Sequence, residues 1–174
     1  MKNKEVKYRL AVLGDSSDIA KLHVQNWQTT YRGSWSDNFL DNIAPQKQLD
    51  IWTKRLNSPN SNQHILFAEA ESQLIGFACT ELNKNKTYGA LLDNLHVDAD
   101  WRGHGIGKQL TLASTDWVKS KNPKSPYYLW VLENNHSARI FYKKLGGKEV
   151  ETVVDSSEEM GAFSLVRCVW EIGF

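Results

Sequence analysis

The chain has 174 residues, 41% of them hydrophobic, and its 21 basic and 20 acidic residues leave a formal net charge of +1. Such a balance creates no large field that would attract nucleic acid or an anionic membrane, so we expect partners to be selected by a local site. Residues 1–7 are polar, and no run of about eighteen uncharged apolar residues follows, so we expect a cytoplasmic protein. The even composition along the chain predicts a single domain over residues 1–174.

The first third of the chain reads as a short strand followed by helices. Residues 8–12 are β-prone, and Asp15 or Ser16 is placed to cap a helix that ends at Gly33. Its apolar positions recur at helical spacing, at Ala20, Val24, Trp27 and Tyr31. A second helical region comes in two pieces, residues 36–43 and a piece that begins near Pro45 and carries Leu49, Trp52 and Leu56.

Short β-prone segments then follow at residues 65–70, 74–82 and 91–97, separated by polar turns, and predict an antiparallel meander. Helical spacing returns at Ile106, Leu110, Ala113 and Trp117 and stops at Pro123. The apolar run 127–132 completes a strand, helix, strand crossover, whose strands we expect to be parallel.

The last predicted helix starts at an Asn134-Asn135 cap and stops at Gly146-Gly147. Two β-rich segments, residues 150–154 and 163–172, end the chain. The sum is an α/β (α+β) fold: a mixed, mostly antiparallel sheet of six or seven strands, flanked by about four helices, with the parallel crossover between the fourth and fifth strands.

A glycine-rich loop lies between a predicted strand and a predicted helix, at Arg102-Gly103-His104-Gly105-Ile106-Gly107-Lys108. Glycines let backbone amides approach an anion, and the start of the helix adds the positive end of its dipole, so we expect a phosphate or pyrophosphate here. A P-loop would need Gly at Arg102 and Ser or Thr at Gln109, and a dinucleotide fingerprint would need Gly or Ala at Lys108. Both motifs are excluded.

The remaining pattern, Arg-Gly-x-Gly-Ile-Gly after a strand ending Leu95-His96-Val97, resembles the acetyl-CoA loop of the GNAT superfamily of N-acetyltransferases. Residues 129–147 resemble the superfamily's second signature, a strand, an Asn-containing turn and a helix with Tyr before Gly. The likeness is specific over residues 64–172. Gly147 departs from it, because many relatives have an aromatic residue there, and this departure concerns local packing more than chemistry.

The resemblance implies where acetyl-CoA binds as a cosubstrate. Its pantetheine arm would lie against the backbone of Leu95, His96 and Val97, and Asn135 would hydrogen-bond it. Its pyrophosphate would be bound by the loop Arg102, Gly103, His104, Gly105, Ile106, Gly107 and Lys108. Trp27, Tyr31 and Trp35 would form a wall of the acceptor groove, although their spacing alone predicts a helix core.

Tyr142 is the leading candidate for the general acid, because by resemblance it faces the cofactor sulfur and a phenol can donate a proton to a thiolate. Its alternative role is an aromatic ring in the core stripe of its helix. Some relatives carry a glutamate base on the strand before the loop, but Leu91 and Leu92 stand near that place here. Asp93 is our candidate base, with Glu81, His96 and a water chain as alternatives.

These residues favour an acetyl-CoA-dependent N-acetyltransferase that moves the acetyl group directly to a primary amine in a ternary complex, with a small amine as acceptor. Two alternatives stay open: a catalytically silent acyl-CoA-binding module, and an enzyme that acts on a protein amino terminus or lysine. The histidine and cysteine spacing predicts no metal site, and Cys79 and Cys168 are expected to be buried thiols. Many relatives are dimers, so a homodimer is also considered.

Overall fold

The computed structural model describes residues 5–171, so the predicted end of the last strand at Ile172 lies outside the described residues. These described residues contain four α-helices: α1 (Ser16–Thr30), α2 (Ala44–Asn57), α3 (Ile106–Lys121) and α4 (His136–Lys144). Seven strands accompany them: β1 (Lys7–Leu10), β2 (Gln63–Ala70), β3 (Gln73–Asn85), β4 (Gly89–Val97), β5 (Tyr127–Leu132), β6 (Lys148–Ser157) and β7 (Gly161–Trp170). None of the helices within residues 5–171 is both long and apolar enough to cross a membrane.

The strands form one sheet in the order β1-β2-β3-β4-β5-β7-β6. All neighbouring pairs are antiparallel except β4 and β5, which are parallel and are connected through α3. The fold class and the position of the parallel crossover predicted from the sequence are therefore confirmed. The strand boundaries differ by a few residues, most at β6, which spans Lys148–Ser157 rather than residues 150–154.

The parallel strands β4 and β5 are joined by fewer residue pairs than any other neighbouring strands of the sheet. Only two residue pairs join β4 to β5, Ala90 with Tyr127 and Leu91 with Tyr128, and the strands then separate. Near the point of separation, the register between β3 and β4 shifts at Asp93, because Cys79 pairs with Asn94 while Thr80 pairs with Leu92. Such a bulge bends a strand and re-aims its side chains. The carboxyl-terminal half of β4 is thus left open on the side that faces β5.

Apolar side chains cover both faces of the sheet. On one face, a cluster that includes Leu110, Val118 and Leu129 packs α3 and α4 against the strands. On the other, Ile19 of α1 and Trp52 of α2 pack against strand residues. The helices are amphipathic because each presents one such apolar stripe, and this burial stabilises the sheet on both sides.

The start of α1 differs from the prediction. Asp15 precedes the helix but makes no capping hydrogen bond to it. Its carboxylate instead accepts two hydrogen bonds from Arg9, at 2.7 and 2.9 Å, and one from the Val12 backbone N–H. The Arg9 guanidinium lowers the pKa of Asp15, as expected when a carboxylate is ion-paired. Asp15 therefore stands at the predicted N-cap position, but its side chain makes no capping bond because it pairs with Arg9 on β1.

Candidate active site

The separation of β4 from β5 opens a cleft of about 780 Å³ that is lined by the glycine loop and by residues of α1. The cleft is lined by residues 95–97, by the loop from Arg102 to Lys108 with the exception of His104, and by Asp93, Asn135 and Tyr142. Asp93 and Tyr142, which are 49 positions apart in the sequence, therefore line the same cavity. His104 is exposed, and its Nδ1 lies 3.1 Å from the carbonyl oxygen of Arg102.

The backbone of the glycine loop is shaped to receive an anion. Gly103 and Gly105 both have φ of +81°, a left-handed conformation that glycine adopts without strain, and no atom lies within 4 Å of where a Cβ would stand. Gly105 is the N-cap residue of α3, so the amides of the first helical turn have no partner within the helix. Free amides, the helix dipole and open space in front of them fit a pyrophosphate.

We expect Gly105→Ala to weaken coenzyme A binding about tenfold, because an L-residue in this conformation costs about 1–2 kcal/mol and will move the loop amides. Gly161→Ala is the matched control: Gly161 has φ of +87° and equally open space, but it is the first residue of β7 and does not line the cleft. Isothermal titration calorimetry measures both. Equal affinities for the two variants would mean that the phosphates bind away from this loop.

A side chain of α1 holds the loop to the end of β4. Asn26, which is 7% exposed, accepts a hydrogen bond from the Arg102 guanidinium through Oδ1 and donates one through Nδ2 to the Val97 carbonyl oxygen at 3.3 Å. Sequence reasoning missed Asn26, because it sits in a helical stripe with no local motif. The only feature of the sequence that could have indicated a role for Asn26 is that this polar residue stands next to apolar positions of α1.

Tyr142 lies on α4 with its ring at the inner wall of the cleft. The ring is buried and packs edge-on against Trp170 and Phe141, at centroid distances of 6.0 and 5.2 Å. Burial, and then the neighbouring hydroxyl of Tyr31, raise the pKa of the Tyr142 phenol above its ordinary value. The hydroxyl is therefore protonated at neutral pH and is a possible proton donor.

Asn135 begins α4, as the sequence predicted. Its Oδ1 accepts a hydrogen bond from the backbone N–H of Ala138 at 3.2 Å and one from the Ser137 hydroxyl at 3.1 Å. The side chain thus caps the helix that carries Tyr142, and such a cap stabilises a helix by about 1 kcal/mol. Asn135 also lines the cleft, so capping and the predicted contact with acetyl-CoA involve the same residue.

Asp93 lines the cleft beside an arginine. Its Oδ2 accepts hydrogen bonds from Arg55 at 2.8 Å and from the Asn94 amide at 2.6 Å. The alternative base Glu81 does not line the cleft; it pairs with Lys84 at 2.7 Å and lies 3.8 Å from Arg55. Cys79, Glu81 and Asp93 bring three potential metal-ligand atoms within 4.8 Å of one another, but the Arg55 guanidinium already supplies a positive charge there.

Two histidines meet on the α1 side of the cleft. The rings of His96 and His23 lie 4.4 Å apart, and the Trp52 indole N–H donates to His23 Nδ1 at 3.1 Å. Burial, followed by the nearby Arg102 charge, lowers the pKa of His96 to about 3. Burial also lowers the pKa of His23 well below its usual range. Both imidazoles are therefore uncharged at neutral pH.

An aromatic wall closes the α1 end of the cleft. It consists of Trp27, Tyr31, Trp35 and Phe163, all of which line the cleft. Trp35 is central, with ring centroids 4.4 Å from Tyr31, 4.8 Å from Trp27 and 5.6 Å from Phe163. Burial raises the pKa of Tyr31 to about 12, so this phenol too stays neutral. The three residues predicted for the wall, Trp27, Tyr31 and Trp35, line the cleft and also pack against one another.

Trp35 belongs to the segment 32–38 after α1, which is held at both sides. The backbone N–H of Ser36 donates to the Met160 carbonyl at 3.2 Å, and its hydroxyl donates to the Glu159 carbonyl at 2.6 Å. On the opposite side, the amide of Asn134 donates to the Ser34 hydroxyl. The turn between β6 and β7 and the start of α4 therefore both fix the aromatic wall.

Comparison with known proteins agrees with this geometry. Residues 22–147 match the Acetyltransferase (GNAT) family. YuaI of Bacillus subtilis, an uncharacterized N-acetyltransferase, is 27% identical over 148 residues, which are 83% of this chain and 82% of that protein. An uncharacterized N-acetyltransferase of Methanocaldococcus jannaschii is 34% identical over 143 residues, 80% of this chain and 59% of that protein.

A solved structure shares the fold. The PaiA N-acetyltransferase of Thermoplasma acidophilum, in complex with coenzyme A, superposes with a TM-score of 0.74 at 23% identity, over 92% of this chain and 98% of that chain. The splayed parallel strands, the glycine loop at the start of α3 and the family match together lead to one assignment. The chain belongs to the acetyltransferase (GNAT) family, whose cosubstrate is acetyl-CoA.

Proposed function

We propose that this protein transfers the acetyl group of acetyl-CoA directly to a small primary amine while both are bound. The observation that carries this proposal is a single cleft that is lined by the glycine loop, by Tyr142 and by the aromatic wall. Such an arrangement suits a ternary complex, because donor and acceptor can enter from different ends and meet without a covalent enzyme intermediate.

At the donor end, the chain's own groups bind and orient. The amides at the start of α3 would hold the pyrophosphate, with Lys108 as a nearby cation, and the open backbone of Leu95 to Val97 would align the pantetheine arm. Backbone amides near Val97 would polarise the thioester carbonyl. When bound, acetyl-CoA supplies the acetyl group as a thioester.

Transfer requires two proton movements. A carbon–nitrogen bond forms as the carbon–sulfur bond breaks, so the amine must lose a proton and the sulfur must gain one. We assign the donor role to the Tyr142 hydroxyl, which burial keeps protonated. Asp93 is proposed to accept the amine proton, directly or through water; its Oδ2 is already engaged by Arg55 and Asn94. His96 remains the alternative, since it lines the cleft uncharged.

The enclosure of the acceptor end favours a small amine over a protein substrate. Segment 32–38 is tied to the turn between β6 and β7 through Ser36, and Lys47 pairs with Glu159 of the same turn. Together with the aromatic wall, these contacts favour a compact amine with an apolar body over a folded protein surface as the acceptor. Asp155, which lines the same region, adds a carboxylate that attracts a cationic acceptor.

Ligand-dependent melting tests the donor assignment. We expect coenzyme A to stabilise the protein by about 2.7 kcal/mol at a hundredfold excess over its dissociation constant, which corresponds to a rise in Tm of about 5 to 11 °C. ATP and NAD should give much smaller shifts, because the loop matches neither of their motifs. Equal shifts with ATP would contradict the proposed donor site.

A panel of primary amines tests the acceptor assignment. Release of free thiol from acetyl-CoA, with small amines and peptides compared at matched concentration, measures turnover directly. A preference for small amines supports the proposal, and a preference for peptides supports the alternative acceptor, a protein amino terminus or lysine. Binding of coenzyme A without turnover on any amine would support a catalytically silent acyl-CoA-binding module.

Two further predictions from the sequence accompany this proposal, a single domain over residues 1–174 and a cytoplasmic location, and a homodimer is considered because many relatives are dimers. The near-neutral net charge of +1 agrees with a partner set that excludes nucleic acid and membrane surfaces. Light scattering of the purified protein, with and without coenzyme A, measures the oligomeric state.

A further inference from the structure

Asn26 occupies an unusual place among the polar residues of α1. It is buried, yet both ends of its amide are used, and both partners belong to the donor side of the cleft: the Arg102 side chain at the start of the glycine loop and the Val97 carbonyl at the end of β4. Arg102 is 76 positions and Val97 is 71 positions away from Asn26 in the sequence. One side chain thus bridges three elements where they meet.

We propose that Asn26 is a positioning residue of the acetyl-CoA site, which fixes the glycine loop and the end of β4 relative to α1; this inference rests on the proposed function. A hydrogen bond from a charged donor is stronger than a neutral one, so Asn26 holds the Arg102 side chain firmly. Because Arg102 begins the loop, its position sets where the following amides point. The second bond fixes the Val97 peptide, beside which the thioester carbonyl is expected to lie.

The same contact joins the two substrates' sites. Trp27 follows Asn26 directly on α1 and forms part of the aromatic wall, so the acceptor wall and the donor loop are attached to one rigid helix. A helix transmits position well because each residue is fixed by the backbone hydrogen bonds of its neighbours. Asn26 therefore sets the distance between the donor and acceptor ends of the cleft.

The test compares Asn26→Leu, a substitution of similar volume, with Gln28→Leu. Gln28 is the matched control, because it lies on the same helix and its amide also donates to a backbone carbonyl, that of Leu40 at 3.1 Å, but it does not line the cleft. We expect Asn26→Leu to raise the dissociation constant for coenzyme A about tenfold and Gln28→Leu to leave it unchanged. Calorimetry gives the affinities, and thermal melting shows that both variants are folded.

A double-mutant cycle shows whether Asn26 acts through Arg102. In an Arg102→Met background, Asn26→Leu should weaken coenzyme A binding by much less than tenfold, because its main partner is already gone. Full additivity of the two substitutions would overturn the proposal, as would unchanged coenzyme A affinity in Asn26→Leu. If Asn26→Leu does not fold, Asn26→Ser replaces it, with the same expected and contradicting results.

The outcome for the unmodified protein separates this inference from the function on which it rests. If the unmodified protein binds no coenzyme A, the donor site itself is wrong. If the unmodified protein and the Asn26 variants bind coenzyme A equally, the donor site stands and only the role of Asn26 is refuted. A loss of thermal stability without a change in affinity would also refute it, since a purely structural hydrogen bond gives that result.

Discussion

Tyr142→Phe is expected to lower turnover by about 100- to 10,000-fold, the usual range for loss of a general acid, while coenzyme A affinity is kept. The substitution deletes only the hydroxyl and retains the ring that packs against Trp170 and Phe141. Stopped assays of thiol release with the best amine of the panel measure kcat, and calorimetry measures the affinity.

A second buried tyrosine provides the control for this variant. Tyr127 is fully buried on β5, and its hydroxyl lies 3.2 Å from that of Thr80, but it does not line the cleft. Tyr127→Phe should therefore cost stability, about 1 kcal/mol for a lost hydrogen bond, and leave kcat unchanged. If Tyr142→Phe instead loses stability in step with activity, Tyr142 is a packing residue. Full activity of Tyr142→Phe would remove it from the catalytic residues.

The pH dependence of the reaction follows from the same burial. Because burial raises the pKa of Tyr142 above its ordinary value of 10, the donor stays protonated through the neutral and mildly alkaline range. Activity lost with rising pH below about 10 must therefore come from another group. At low pH, we expect activity to fall when the group that accepts the amine proton becomes protonated.

Gly147→Ala is expected to destabilise the fold by about 1–3 kcal/mol, the usual cost of overpacking a core. A Cβ at this position would lie 2.4 Å from Cys168 Sγ, 2.9 Å from the Trp170 ring and 3.0 Å from the Tyr142 carbonyl oxygen. Such a loss corresponds to a fall in Tm of about 2 to 12 °C for a chain of this size. Thermal melting followed by circular dichroism measures it.

Gly14→Ala controls for the loss of glycine's backbone freedom, because Gly14 has no neighbour within 4 Å and an ordinary φ. It should change Tm little. Cys168→Ala in the Gly147→Ala background removes the nearest clashing atom and should recover part of the loss, so the two substitutions should be coupled. An unchanged Tm for Gly147→Ala would show that the strands β6 and β7 yield at this point. The contact also explains why an aromatic residue is absent here.

Local patterns were enough to predict most of the fold. Glycine and proline mark the ends of α1, α3 and α4, and the period of the apolar residues changes clearly from helix to strand. Asp15 is the N-cap residue of α1 as predicted, but the capping hydrogen bond of its side chain is absent because Arg9 binds the same carboxylate. A capping signal describes the helix alone and contains nothing about a cation on a neighbouring strand.

The position of the glycine loop before α3 could be predicted because its pattern lies within seven consecutive residues, Arg102 to Lys108, and its role in binding acetyl-CoA stays a prediction. The tertiary contacts that hold the loop and the rest of the site in place could not be predicted. Asn26 reaches Val97, and Arg55 reaches Asp93, only after α1 and α2 have packed on the sheet. Each of these side chains has an ordinary neighbourhood in the sequence, and its role comes from tertiary contacts alone.

The scarcity of pairing between β4 and β5 also bears on how the molecule can move. Strands β1 to β4 form one unit of the sheet and β5, β7 and β6 form another, with two residue pairs in register between them. We expect a sheet joined by so few residue pairs to bend most easily at Ala90 and Leu91. A ligand bound in the cleft between the two units would contact both of them and would restrict this bending.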